Sequence, residues 1–216
     1  MPDLIKFFIN GKAVKAKAEE SIWEVSKREG NFIPHLCHSN KSGYKADGNC
    51  RSCVVEIKGE RTLAASCIRK PFNGMEVITN NDKVEKSQKL VLELLLSDQP
   101  VKEKSHNKNS HFWKILETKE ISKTRFPKKN IKTIPELDKS HPAMTVALDA
   151  CIQCGLCIRA CRDVQVNDVL GMAGRGANSY PVFDFDDLMG TSSCVGCGEC
   201  VQACPTGALM ETALLD

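Results

Sequence analysis

Twelve cysteines punctuate the 216-residue chain, and they fall into three sets of four. Cys37, Cys50, Cys53 and Cys67 form the first set, Cys151, Cys154, Cys157 and Cys161 the second, and Cys194, Cys197, Cys200 and Cys204 the third. Four thiolates are the complement of one iron–sulfur cluster or one structural zinc ion. The last two sets both read C-x2-C-x2-C-x3-C, the second of them followed by Pro205, a spacing that serves paired 4Fe-4S clusters. Three closely spaced thiols can take three corners of a cube while the fourth, expected at the start of a helix, points away to the neighbouring cube. This assigns Cys151, Cys154, Cys157 and Cys204 to one 4Fe-4S cluster, and Cys194, Cys197, Cys200 and Cys161 to its partner. Zinc sites pair C-x2-4-C units and have no need of two identical four-cysteine runs.

Residues around these two runs suit the same chemistry. Gly155, Gly196 and Gly198 lie inside the loops, where a missing Cβ permits unusual dihedrals and close approach of backbone N–H groups. Ile152, Leu156, Ile158, Val195, Val201, Ala203 and Leu209 are expected to supply a dry shell, or simply core. Arg159, Arg162 and Arg175 are read as solvated arginines or as charges that raise local potentials. The first set, C-x12-C-x2-C-x13-C, is less regular. Ligand count and context favour 2Fe-2S there, with zinc and free thiols as the alternatives. His35 and His38 flank Cys37 and are expected to be ordinary surface histidines, since four cysteines already complete the set.

The elements that must carry these loops are partly legible. Residues 4–15 read as a hairpin around Asn10-Gly11, and Ser21-Ile22-Trp23-Glu24 as a capping box opening a helix that ends near Gly30. Val54 to Ile57, a turn at Lys58-Gly59, and Thr62 to Ala65 make a second hairpin returning Cys67 toward Cys53. Together these give a beta-grasp pattern. Residues 82–97 have helical apolar spacing. Residues 98–142 hold eleven Lys and Arg against six Asp and Glu and no cysteine. They read as a basic, solvated connector with a short helix near Phe112, where Phe112 and Trp113 anchor it to a neighbouring surface. The expected class is α+β: a beta-grasp 2Fe-2S ferredoxin domain with its following helix at 1–97, the connector at 98–142, and a bacterial-type two-cluster 4Fe-4S ferredoxin domain at 143–216. The cofactors expected are one 2Fe-2S cluster and two 4Fe-4S clusters.

Composition sets the exclusions. A net charge of +3 and a pI near 8.2 are too mild for nucleic acid to be the main partner. No apolar run approaches the roughly 18 residues of a membrane span, and the amino terminus lacks the pattern of an export signal, which predicts a cytoplasmic location with reduced thiols. The glycines from Gly171 to Gly176 do not satisfy G-x-G-x-x-G and predict a tight turn rather than a phosphate loop. Asp184, Asp186 and Asp187 read as a solvated turn. No catalytic residues are identified, so the chain is expected to move electrons without a substrate-turnover site.

Ile33-Pro34-His35-Leu36-Cys37 and Asp47-Gly48-Asn49-Cys50-Arg51-Ser52-Cys53 resemble the amino-terminal 2Fe-2S region of the large iron–sulfur subunit of respiratory complex I. Leu63 to Pro71, Leu94 to Pro100, Cys151 to Cys157, Val164 to Val169 and Cys194 to Leu209 resemble the alpha subunit of soluble NAD-dependent molybdenum or tungsten formate dehydrogenases. The resemblance implies an electron-transfer subunit or fragment between a molybdopterin-containing catalytic subunit and flavin/NAD-binding subunits. The alternatives are the small iron–sulfur subunit of an NAD-linked hydrogenase or complex I-like diaphorase, and a free-standing ferredoxin-like carrier. Two departures stand out. Complex I relatives carry a His/Cys3 cluster segment after the 2Fe-2S domain, which His106 and His111 cannot supply without cysteines. The formate dehydrogenase subunit also continues into a further cluster and a molybdopterin domain, whereas this sequence reaches Asp216, as expected for a split gene, a truncation or an independent small subunit.

Overall fold

The computed structural model describes residues 4–128 and 136–215. They divide into two compact units, residues 4–40 with 46–92, and residues 41–45 with 93–128 and 136–215. The boundaries differ from the three segments expected at 1–97, 98–142 and 143–216, because most of the connector packs into the second unit.

In the first unit, β1 (Ile5–Ile9) and β2 (Lys12–Ala16) form the antiparallel hairpin expected around Asn10-Gly11. Asn10 and Gly11 both take the left-handed conformation that a two-residue hairpin turn requires. Alternation places Phe7, Ile9, Val14 and Ala16 on the buried face. β3 (Val54–Ile57) and the two-residue β4 (Ala64–Ala65) make the second hairpin. The strand that unites them, β5 (Glu76–Ile78), escapes the sequence reading. It pairs parallel to β1 and antiparallel to β3, giving a five-stranded sheet of order β2-β1-β5-β3-β4.

Helix α1 (Ile22–Arg28) packs Ile22, Trp23 and Val25 into the core beneath the sheet. Its capping box is reciprocal: the Glu24 backbone N–H donates to Ser21 Oγ at 3.2 Å, and the Ser21 N–H donates to Glu24 Oε2 at 2.7 Å. Replacing Ser21 with Ala should cost about 1 kcal/mol, read as a lower denaturant midpoint of the first unit by Trp23 fluorescence; an unchanged midpoint would show that the cap adds nothing. Helix α2 (Asp82–Ser97) matches its expected span. Asn81 accepts from the Val84 N–H, and buried Gln88 donates to the Val54 carbonyl at 2.9 Å, which fixes the helix against β3.

The second unit begins with the end of α2. Glu93, almost wholly buried, receives Arg125 Nε at 2.7 Å and Nη2 at 3.2 Å, while Thr124 Oγ1 donates to the Glu93 carbonyl. Helix α3 (His111–Thr118) buries Phe112, Trp113, Ile115 and Leu116. The region expected to be a solvated linker therefore contributes core, because the apolar residues of α3 share one face while the lysines lie outside it. Residues 129–135 of that segment lie outside the described residues. Beyond it, β6 (Met144–Val146) pairs antiparallel with β9 (Leu209–Glu211), and β7 (Leu170–Ala173) with β8 (Tyr180–Phe183). The glycine-rich stretch is the β7–β8 turn, where Gly174 at φ +71° has no room for a Cβ, the Asn178 carbonyl oxygen lying 2.3 Å from that position. Two short helices, α4 (Leu156–Arg159) and α5 (Glu199–Ala203), lie between the strand pairs along the chain. Among the described residues no helix is long and apolar enough to cross a membrane.

Candidate metal centres

The first four cysteines converge at one end of the first unit. The two hairpin halves and α1 bring them there: the Trp23 N–H donates to the Ser66 carbonyl, Trp23 Nε1 to the Ile33 carbonyl at 3.1 Å, and Ser66 Oγ to the Cys53 carbonyl at 2.7 Å. Cys37, Cys53 and Cys67 are buried and Cys50 is half-buried. The Cys50 N–H donates to Cys37 Sγ at 3.4 Å. The thiols interact among themselves. Hydrogen bonding with Cys67 brings the Cys53 thiol down to about 7, whereas contact with the Cys37 sulfur pushes both Cys50 and Cys67 up. His35 and His38 are not surface residues as expected. Their rings pack against Trp23, His35 tilted at 57° and His38 edge-on at 76°, with centroids at 4.3 and 4.7 Å, and His38 is buried.

The two later sets are built by a repeated loop. In the first, Gln153 and Gly155 take left-handed dihedrals, and the Gln153 N–H points back to Cys151 Sγ at 3.4 Å. In the second, Gly196 and Gly198 do the same, and the Gly196 N–H meets Cys194 Sγ at 3.4 Å. Gln153 carries a strain of about 1 kcal/mol that Gly196 avoids. Gly155 and Gly198 then begin α4 and α5, so each third cysteine rises from a first helical turn. The fourth cysteines depart from expectation: Cys161 lies in a π-helical turn that continues α4, and Cys204 follows the carboxyl end of α5, so neither opens a helix. A π turn holds more residues per hydrogen-bonded ring than an α turn, and it lets Cys161 face a different direction from Cys157.

Cys151, Cys154, Cys157 and Cys204 line one small, mainly apolar cavity, together with Ile152, Gly155 and Leu209. Cys161, Cys194, Cys197 and Cys200 line a second, with Val169, Leu170 and Phe183. The fourth cysteine of each run thus sits with the first three of the other. Burial, followed by the neighbouring Cys154, Cys204 and Cys151, pushes the Cys157 thiol up; burial with Cys194, Cys197 and Cys161 pushes Cys200 up to about 12. Further donors reach the sulfurs: the Val169 N–H donates to Cys161 at 3.4 Å, and Asn167 Nδ2 lies 3.9 Å from Cys197. Asp184 is less free than a solvated turn, accepting from the Ser193 N–H and hydroxyl at the entry to the second loop. Of the expected apolar shell, Leu156 and Leu209 are buried, and Val195, although 67% exposed, lines the second cavity at its open side.

The donor sets fit iron–sulfur clusters. Each cavity offers four soft ligands, and the mutual repulsion that disfavours bare thiolates in these sites is relieved when cationic iron is shared among them. Among the described residues no three His, Cys, Asp or Glu side chains gather closely enough for a single metal ion; the sulfurs of the two later sets line cavities instead.

Comparison with known proteins agrees with this division. Residues 3–82 match the family described as a 2Fe-2S iron–sulfur cluster binding domain, and residues 150–208 match the 4Fe-4S dicluster domain. An NADH-quinone oxidoreductase subunit from Rickettsia typhi is 29% identical over 80% of this chain and 25% of its own length; its counterpart from Rickettsia conorii is 29% identical over 80% and 26%. The chain therefore spans about a quarter of these curated relatives. In fold, it is similar to a chain in the crystal structure of an NAD+-reducing [NiFe]-hydrogenase in the H2-reduced state, with a TM-score of 0.86 and 24% identity, covering 97% of this chain and 88% of that one. The order of parts is a 2Fe-2S ferredoxin domain followed by a 4Fe-4S dicluster domain, in an α+β fold.

Proposed function

We propose that this chain is the iron–sulfur electron-transfer part of a multisubunit, NAD-linked oxidoreductase. The observation that carries the reading is the pair of cavities in which three cysteines from one loop meet the fourth from the other. Cys37, Cys50, Cys53 and Cys67 would hold a 2Fe-2S cluster, Cys151, Cys154, Cys157 and Cys204 one 4Fe-4S cluster, and Cys194, Cys197, Cys200 and Cys161 the other. Bound there, the clusters supply one-electron uptake and release at potentials that the surrounding protein sets. The chain's own residues do the setting. Backbone N–H groups of Gln153, Gly196 and Val169 stabilise sulfur charge, and Leu209, Leu170 and Phe183 keep water away.

The partner that supplies electrons defines the finer reading. The segments quoted from Leu63 to Leu209 favour a formate dehydrogenase-type complex, with a molybdopterin-containing catalytic subunit and flavin/NAD-binding subunits. The second reading is a complex related to NAD-linked hydrogenases or to complex I, favoured by the relatives whose names carry those activities. Anaerobic purification of the chain at its native level, with metal analysis and mass spectrometry of what accompanies it, separates them. About ten irons per chain are expected. A molybdopterin protein in the same complex supports the formate dehydrogenase-type reading, a nickel–iron subunit supports the second, and an iron-free chain overturns both.

A further inference from the structure

Among the four cysteines of the first unit, Cys37, Cys53 and Cys67 are buried and Cys50 is half-buried. The loop that carries Cys50 turns sharply: Gly48 and Arg51 both take left-handed dihedrals, at φ +66° and +57°. At Arg51 the conformation costs about 1 kcal/mol that a glycine would avoid. The turn has a consequence for its neighbour. Arg51 stays exposed, while Ser52, two positions after Cys50, is folded wholly inside at 0% exposure.

A hydroxyl taken out of water needs a hydrogen-bond partner, and Ser52 Oγ lies 3.2 Å from Cys50 Sγ. Between a thiol and a hydroxyl either atom can donate. A cysteine sulfur that ligates iron has given up its proton and only accepts, which settles the direction: Ser52 donates to Cys50. The position two residues on from a ligand is used differently in the later loops, where Gln153 and Gly196 offer Cys151 and Cys194 a backbone N–H at 3.4 Å. A backbone donor is present whatever the side chain, whereas the Ser52 hydroxyl is chosen by the sequence. A similar contact in the second unit, between the Thr206 hydroxyl and Cys204 Sγ, is longer at 3.6 Å. One-electron reduction adds negative charge that the ligand sulfurs share, so a fixed donor on one of them favours the reduced form, and burial of that donor limits screening by solvent.

Resting on the assignment of a 2Fe-2S site to Cys37, Cys50, Cys53 and Cys67, we propose that Ser52 is a positioning residue that raises the midpoint potential of that site by donating its hydroxyl hydrogen to the Cys50 sulfur. It acts through Cys50 and does not touch iron. The left-handed turn at Arg51 is the device that brings the hydroxyl inward.

The test is a redox titration of the full chain followed by EPR of the 2Fe-2S signal, with resonance Raman spectra of the oxidised site. Ser52→Ala removes a single oxygen atom. It is expected to make reduction about tenfold less favourable, a midpoint lower by about 59 mV for a one-electron couple. It is also expected to move a cysteine-linked iron–sulfur stretching band to higher frequency, because a sulfur relieved of a donor binds iron more tightly. Ser52→Thr keeps the hydroxyl and should restore most of the potential. Ser21→Ala weakens the same unit without removing a bond to sulfur, and should leave both readouts in place. Where Ser52→Ala holds no cluster, Ser52→Thr and Ser52→Val take over the comparison; they differ by a hydroxyl against a methyl, and the Thr variant is expected at the higher midpoint. Equal midpoints with and without the hydroxyl, a higher midpoint without it, or the same fall in Ser21→Ala overturn the inference while leaving the 2Fe-2S reading intact. A wild-type chain that shows no 2Fe-2S signal overturns that reading and the inference with it.

Discussion

Replacing Cys204 with Ser should empty or convert the site lined by Cys151, Cys154 and Cys157 while sparing the one lined by Cys194, Cys197 and Cys200. In sequence Cys204 belongs with the latter three, and a local arrangement would predict the opposite loss. The structure places its sulfur in the other cavity, beside Ile152 and Leu209, with the Thr206 hydroxyl 3.6 Å away. A serine oxygen is a poor substitute for thiolate on iron, so the damaged site should lose most of its 4Fe-4S signal or fall to a three-iron form. EPR and iron analysis of the anaerobically purified variant read the result. Loss confined to the Cys194 site would refute the crossed arrangement.

The second large effect is expected at Phe112. Its side chain is fully buried, its ring meets Trp113 edge to face at 5.5 Å, and its N–H donates to the Pro205 carbonyl at 2.8 Å. Trp113 is in turn held by a bond from Nε1 to Ser105 Oγ at 3.0 Å. Truncation to Ala leaves a cavity among Ile115, Leu116 and their neighbours and should cost about 3–5 kcal/mol. The loss reaches the metal site, because the first turn of α3 is bonded to Pro205, the residue after Cys204. Phe112→Ala should therefore lower the thermal midpoint of the second unit and its iron content together. Lys114→Ala, on the exposed face of the same helix, should change either by very little. Equal, small effects from both would return this region to the status of a solvated linker.

The sequence was legible wherever a signal was local. Asn10-Gly11 specifies its turn by backbone conformation, Ser21 and Glu24 specify a helix start by two reciprocal bonds, and residues 82–97 are long enough for periodicity to be plain. The cysteines stood out for a related reason: four thiols at fixed spacing, repeated twice, have few chemical uses. The failures were long-range. β5 is three residues long and carries no period of its own; only pairing with β1 and β3 makes it a strand. The excess of lysine between residues 98 and 142 made the region read as a solvated connector, although the short helix expected near Phe112 is present and its apolar face is buried. Arg159 could not be recognised as buried, since its type favours solvent and the Lys45 carbonyl that holds it lies 114 positions away. Tyr44 and Glu199, 155 positions apart, are brought together in the same way.

The position of β5 in the sheet also governs how the first unit must form. It is the central strand in space but the last to arrive along the chain, so neither hairpin can join the other until the chain has been made as far as Glu76 and looped back onto Phe8 and Ile9 of β1. Cys37, Cys50, Cys53 and Cys67 all precede it. During that interval the thiols are tethered to two independent hairpins, and the chain depends on late closure, not on early local structure, to bring a complete set of ligands together.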